Sequence, residues 1–246
     1  LRKDKTMVQI NCDMGEGYGI YQCGDDKAIM PHITMANVAC GFHASDPLVM
    51  KKVVRLAKEH NVAVGAHPSF PDHQGFGRRE IKMQPEELTA CIIYQVGALK
   101  GFLDAEKMDL NHIKVHGALY GLSSRDTETA EAIASAAEVF GVPLLGMANT
   151  VHEQIWGARD FGFLAEYYTD LDYSPDGSLI ITREHVAYDP KEAGERALQV
   201  LKDGVALAVD GSKIPMRADC VCVHSDTPNA EELAKTVRET LKPYLN

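Results

Sequence analysis

Short apolar runs alternate with longer amphipathic stretches along the whole chain. Seven runs read as strands: residues 7–14, 33–40, 62–67, 112–117, 143–148, 163–168 and 220–224. Each is dense in Val, Ile, Leu, Ala or Cys instead of alternating with polar residues, the pattern of a parallel strand buried on both faces. Between them lie helical stretches at 47–61, 85–107, 127–140, 150–160, 190–204 and 230–241. Local chemistry marks several of their ends. Asp46 stands as an N-cap before Pro47, which suits the first helical position. Glu86 and Glu87 favour the dipole in the first turn of the next helix. Gly141, with Pro143 close behind, ends the helix that begins at Thr127.

Repeated strand–helix units of this kind predict a parallel α/β fold with right-handed crossovers. An open doubly wound sheet and a closed barrel are the two candidates. No GxGxxG follows the first strand and no GxxxxGK[ST] occurs in the sequence, which removes the best-marked nucleotide-binding open sheets. Nearly every strand run ends in His, Asp or Glu, and a barrel brings such ends to one mouth. We therefore expect one (β/α) barrel over residues 7–246, with residues 1–6 as a flexible leader. The stretch 172–182, with Tyr-Ser-Pro-Asp-Gly-Ser inside it, is expected as a turn or hairpin on the rim.

Composition narrows the function classes. Lys and Arg number 25 against 35 Asp and Glu, a formal charge of −10. A chain this acidic repels nucleic acid and anionic lipid unless a basic patch intervenes, and the only basic cluster is Arg2, Lys3 and Lys5. No export signal or bilayer-length apolar run is visible, and the six cysteines fall mostly inside apolar runs without a CxxC pair. Reduced, buried thiols in a cytoplasmic protein are the expectation. Cys220 and Cys222 are expected on opposite strand faces.

The strand ends carry the candidate chemistry. Asn11-Cys12-Asp13-Met14-Gly15-Glu16-Gly17 sets two carboxylates beside glycines that let the backbone fold tightly. Asp13 and Glu16 suit cation binding or acid–base work; a turn cap and a solvated side chain are the structural alternative. His43 leaves the second strand among small residues. His67 ends the third, and Pro68 and Pro71 stiffen the loop that follows. Arg78 and Arg79 lie beyond, where a guanidinium can grip a carboxylate with two hydrogen bonds; for Arg79 a surface role is favoured. In the fourth run alternation puts His112, Lys114 and His116 on one face, which only a barrel interior can house. Lys114 among histidines is expected to have a depressed pKa, suited to proton transfer or oxyanion contact. Glu166 to Asp170, and Val223-His224-Ser225-Asp226-Thr227, repeat the theme.

Taken in order, these endings resemble the LamB/YcsF family, whose members include one component of prokaryotic 5-oxoprolinase. The resemblance runs from residue 7 to about 233. It is carried by Asn11–Gly17, residues 36–46, 65–78 and 114–120, Asp176-Gly177-Ser178-Leu179 and residues 221–227. It implies a seven-stranded (β/α) barrel of the glycoside hydrolase/deacetylase type. It also implies ATP-dependent opening of 5-oxoproline to glutamate, together with two partner subunits, B and C. Carried onto this chain, Asp13, Glu16, Lys114 and His116 are the expected catalytic groups. His43, His67, Arg78, Tyr120, Asp170, His224 and Asp226 are the expected substrate contacts. Val115, Gly121, Ser45 and Ser225 depart from the family pattern, and Leu171 follows Asp170 where the family has arginine. If that arginine holds the substrate carboxylate, this chain acts on a different lactam or amide.

Without a P-loop, ATP with its Mg²⁺ is expected at the partner subunits. Two other readings stay open. One is a self-sufficient metal-dependent amidase or deacetylase, in which Asp13, His43 and His116 hold a divalent metal such as Zn²⁺ with an open position for water. The other is a noncatalytic lactam-binding subunit, against which the density of titratable groups argues.

Overall fold

The computed structural model describes residues 7–180 and 186–245. The expected leader, residues 1–6, and the last two residues of the 172–182 stretch lie outside the described residues. Seven parallel strands close into a barrel: β1 (Gln9–Met14), β2 (Met35–Ala39), β3 (Ala63–His67), β4 (Leu110–Ile113), β5 (Leu144–Gly146), β6 (Phe163–Tyr168) and β7 (Cys220–Val223). They follow one another around the ring in sequence order, and β1 pairs with β7 from Gln9 beside Cys220 to Cys12 beside Val223. The α/β barrel expected from the seven apolar runs is thus the observed fold.

Helices return the chain between strands: α1 (Pro47–Glu59), α2 (Pro85–Glu106), α3 (Gly117–Ser123), α4 (Thr127–Phe140), α5 (Val151–Trp156), α6 (Pro190–Asp203) and α7 (Ala230–Leu241). Between β1 and β2 the crossover holds a helical turn, Asp26–Ile29, capped by the Asp25 side chain, and a 3₁₀ turn, Met30–His32. Asp46 accepts from the backbone N–H groups of Leu48 and Val49, which fixes the start of α1 just after the second strand end. Helix α2 has the length and composition to cross a membrane, with a hydropathy of 1.2. Here it packs on the barrel between α1 and α4, burying Leu88, Ile92, Val96, Leu99 and Leu103.

Strand alternation sorts the barrel into two environments. Outward residues such as Ile10, Cys12, Met14, Val38, Val64, Ile113, Leu144, Tyr167, Val221 and Val223 join the helices in one large apolar core. Inward residues stack in layers. Met35, Leu145 and Cys220 form a separate apolar plug, flanked by Ala63 and Leu164. Above it lie Asn11, Asn37, His112, Lys114 and Glu166, all buried. Gly65 belongs to this layer because of His112: a Cβ at Gly65 would lie 2.2 Å from His112 Nε2. Cys220 and Cys222 therefore share the inner face, as residues two apart on a strand must, which corrects the opposite-face expectation.

The fourth strand also differs from its predicted span. It covers Leu110–Ile113, and Gly117, expected as its last residue, opens α3 with φ +58°. The intervening Lys114 and His116 still hydrogen-bond the third strand and its loop, through N–H donation to Ala66 O and Pro68 O at 2.9 Å each. A left-handed glycine at the strand exit ends pairing early yet keeps both side chains aimed inward. The rim hairpin pairs Asp172–Tyr173 with Leu179–Ile180, and a second hairpin pairs Val205–Leu207 with Lys213–Pro215. At the opposite end of the barrel, Val8 N–H donates to Tyr244 O at 2.8 Å and Val8 bridges Leu245.

Candidate active site

The polar strand ends converge on a small pocket at the barrel mouth. Asp13, Glu16, His67, Arg78, Lys114, His116, Tyr120, His224 and Asp226 line it, with Tyr168, Leu171 and Leu179 as an apolar wall and a cavity of about 50 Å³ between them. Of the other expected site residues, His43 lies buried behind Glu16, and Asp170 stands behind His224. Arg79 is apart from the site, paired with Asp72.

The floor is a chain of charges. Lys114 Nζ lies 3.1 Å from Asp13 Oδ1 and 2.9 Å from Glu166 Oε1, and it reaches Cys222 Sγ at 3.1 Å. Tyr120 O–H donates to the other Glu166 oxygen at 3.0 Å. Burial alone would push the Lys114 ammonium down, but the Asp13 and Glu166 carboxylates outweigh it and hold it well above the usual lysine range. The depressed lysine expected from the sequence is thus corrected: Lys114 is a permanent cation, because its partners arrive from β1 and β6. Burial would likewise raise Asp13, yet His67 and Lys114 keep it well below the ordinary carboxylate range. Asn37 Nδ2 donates to Asp13 Oδ1 at 2.7 Å, so Asn37 Oδ1 is left to accept from His112 Nε2 at 2.6 Å.

Above the floor stand three histidines and Glu16. His67 Nδ1 lies 2.7 Å from Lys114 O, and His116 Nε2 lies 2.8 Å from Phe76 O. A carbonyl oxygen only accepts, so both of those nitrogens carry hydrogen. The opposite nitrogens, His67 Nε2 and His116 Nδ1, then face each other at 2.9 Å. Each also faces a carboxylate: His67 Nε2 lies 3.3 Å from Asp13 Oδ2, and His116 Nδ1 lies 3.3 Å from Glu16 Oε1. His43 Nε2 reaches the same Glu16 oxygen at 3.1 Å. Burial pushes His43 and His116 well below the usual histidine range and raises the Glu16 carboxyl. A neutral His116 with its Nε2–H committed to Phe76 cannot donate to an oxyanion; it can only accept.

The loop after β3 roofs this group. Phe76 packs edge-on against His43 and His116, and its φ of +55° turns its carbonyl toward His116. Arg78 lies over the Phe76 ring and pairs with Asp226 at 2.6 Å, spanning from the third to the seventh strand end. On the far side His224 pairs with Asp170 at 2.9 Å and stacks on Tyr168.

Glu166 is the main contributor that sequence reading left out of the site. It is fully buried, and its only signal was a carboxylate inside an otherwise apolar strand, two residues from Tyr168 on the same face. Asn37 and Phe76 gave no comparable signal; their roles depend on neighbours from other strands.

A closed parallel barrel with an acid–base mouth over a buried lysine–carboxylate floor defines a β/α-barrel protein built for chemistry on a small polar ligand. The chain belongs to the LamB/YcsF family, whose sequence profile matches residues 8–244. It is 46% identical over 246 residues to the lactam utilization protein lamB of Emericella nidulans, covering 98% of this chain and 96% of that protein. It is 45% identical over 239 residues to the A component of the 5-oxoprolinase of Thermus thermophilus, covering 96% of each. A crystal structure of the lactam utilization protein from Thermus thermophilus superposes with a TM-score of 0.88 at 44% identity over 96% of both chains.

Proposed function

We propose that this chain is the ring-opening subunit of an ATP-dependent lactam hydrolase of the 5-oxoprolinase type, working in the cytoplasm with two partner subunits, B and C. The observation that carries the reading is the pairing of an ionised Asp13 with the Lys114 cation at the base of the mouth pocket. The relatives' names, a lactam utilization protein and a 5-oxoprolinase component, agree with it.

In this reading Asp13 takes the proton from the attacking water, and Lys114 offsets negative charge growing on the lactam oxygen. Glu16, its carboxyl raised by burial, returns a proton to the leaving nitrogen. Arg78 exchanges Asp226 for a substrate carboxylate, while Tyr168, Leu171 and Leu179 take the apolar edge of the ring. The amide itself is a poor electrophile, so ATP transfers its γ-phosphoryl group to the amide oxygen and leaves as ADP. Water attack then expels the ring nitrogen to give an acyl phosphate, which a second water hydrolyses to the carboxylate and inorganic phosphate. The sequence carries no P-loop, so in this reading activation belongs to the partner subunits. The test is turnover of 5-oxoproline by the chain alone and with its B and C counterparts. Ring opening only with both partners and ATP is expected; ATP-independent opening by the lone chain overturns the reading.

A further inference from the structure

Three potential ligand atoms crowd one spot in the mouth. The hydrogen bonds to Lys114 O and Phe76 O occupy the outer nitrogens of His67 and His116, so the inner ones, His67 Nε2 and His116 Nδ1, are the pair open to a metal, 2.9 Å apart. Glu16 Oε1 joins them, with all three atoms within 4.8 Å of one another. We propose that His67 Nε2, His116 Nδ1 and Glu16 Oε1 form a transition-metal site, with Zn²⁺ the ion that fits the donors.

Several independent features agree. Zn–N and Zn–O bonds of about 2.0–2.2 Å imply ligand–ligand edges of roughly 3.3 Å in a tetrahedron. The observed edges of 2.9 Å between the histidines and 3.3 Å from His116 to Glu16 need only small adjustment. Each ligand is already held from behind, the histidines by carbonyls and Glu16 by His43. Outer partners of this kind normally orient metal ligands.

The set differs from the Asp13, His43 and His116 trio expected from the sequence. His43 and His116 stack in parallel, 3.8 Å apart and 6° from parallel, and His43 Nε2 is engaged with Glu16 Oε1. Asp13 is tied down instead by Asn37 and Lys114. Two histidines and one glutamate leave a fourth position open to water or a carbonyl oxygen.

The test is binding, read separately from turnover. Chain stripped with a chelator is titrated with Zn²⁺ and with Co²⁺, and X-ray absorption on the loaded, unmodified chain counts the ligands. One ion per chain with two imidazoles and a carboxylate is expected, together with a rise in melting temperature. His67→Gln, His116→Gln and Glu16→Gln should each weaken binding by more than roughly 100-fold. His43→Ala should weaken it by only about 10–100-fold, as removal of an outer partner does. Absence of stoichiometric binding to the unmodified chain overturns the proposal, as does an absorption spectrum without imidazole. Either result leaves the ATP-dependent reading standing, because that reading is judged by turnover with the partner subunits.

Discussion

Lys114 and Asp13 form an ion pair closed off from solvent: the ammonium is 2% exposed and the carboxylate side chain 9%. Such a pair is weak evidence for stability as a whole, but removal of one member strands the other's charge. Lys114→Met leaves Asp13 and Glu166 without their shared cation and should cost about 3–5 kcal/mol at neutral pH. Urea denaturation measures the loss, which should shrink in mildly acidic buffer as the stranded carboxylates take up protons. A variant as stable as the parent at neutral pH would show that the pair is not coupled as described.

His224 gives a stability effect of opposite sense. Burial would lower it, but Asp170 raises it from 6.5 to about 9, with Asp13 adding to the rise and Lys114 opposing it. A histidine with a raised native pKa stabilises the fold fully below its unfolded value and loses that contribution as pH climbs through the native one. Denaturation midpoints should therefore fall between about pH 6.5 and 9. In Asp170→Asn that fall should largely disappear, and an unchanged slope would remove the pair as its cause.

Gly65 should resist even the smallest side chain. Its Cβ position is taken by His112, whose Nε2 holds Asn37 and through it Asp13. Overpacking of this kind typically costs about 1–3 kcal/mol. Gly65→Ala should lower the melting temperature and reduce turnover together, since the Asp13 support moves with His112. Full activity at unchanged stability would mean that the inner layer yields more readily than its geometry implies.

Leu171 bears on substrate choice. It lines the apolar wall of the mouth, and the resemblance read from the sequence leads one to expect arginine in its place. If that arginine grips the substrate carboxylate, Leu171→Arg should shift the kcat/KM ratio toward 5-oxoproline over a lactam without a carboxylate. A charged hydrogen bond worth about 1.5–3 kcal/mol corresponds to roughly a 10–100-fold shift. An unchanged ratio would assign carboxylate recognition to other residues.

The seven strands were legible because each is buried on both faces, so its apolar run is continuous and its polar end abrupt. The histidines at those ends were legible for the same reason. What escaped was set by partners distant in the chain. The charge state of Lys114 depends on Asp13 and Glu166, 101 residues before it and 52 after it, and no pattern around Lys114 shows that it meets them. The early end of β4 depends on the left-handed Gly117. The hairpin of Val205–Leu207 and Lys213–Pro215 did leave a signal, Asp210-Gly211 between two short apolar runs, a familiar turn pair. The helix Gly117–Ser123 left none, since two of its seven residues are glycine.

The bridge between Val8 and Leu245 bears on how the molecule can be handled. It lies on the side where the strands begin, a full barrel length from the mouth. A tether grafted there would leave the mouth unobstructed. Surface immobilisation through that seam would then present the mouth outward.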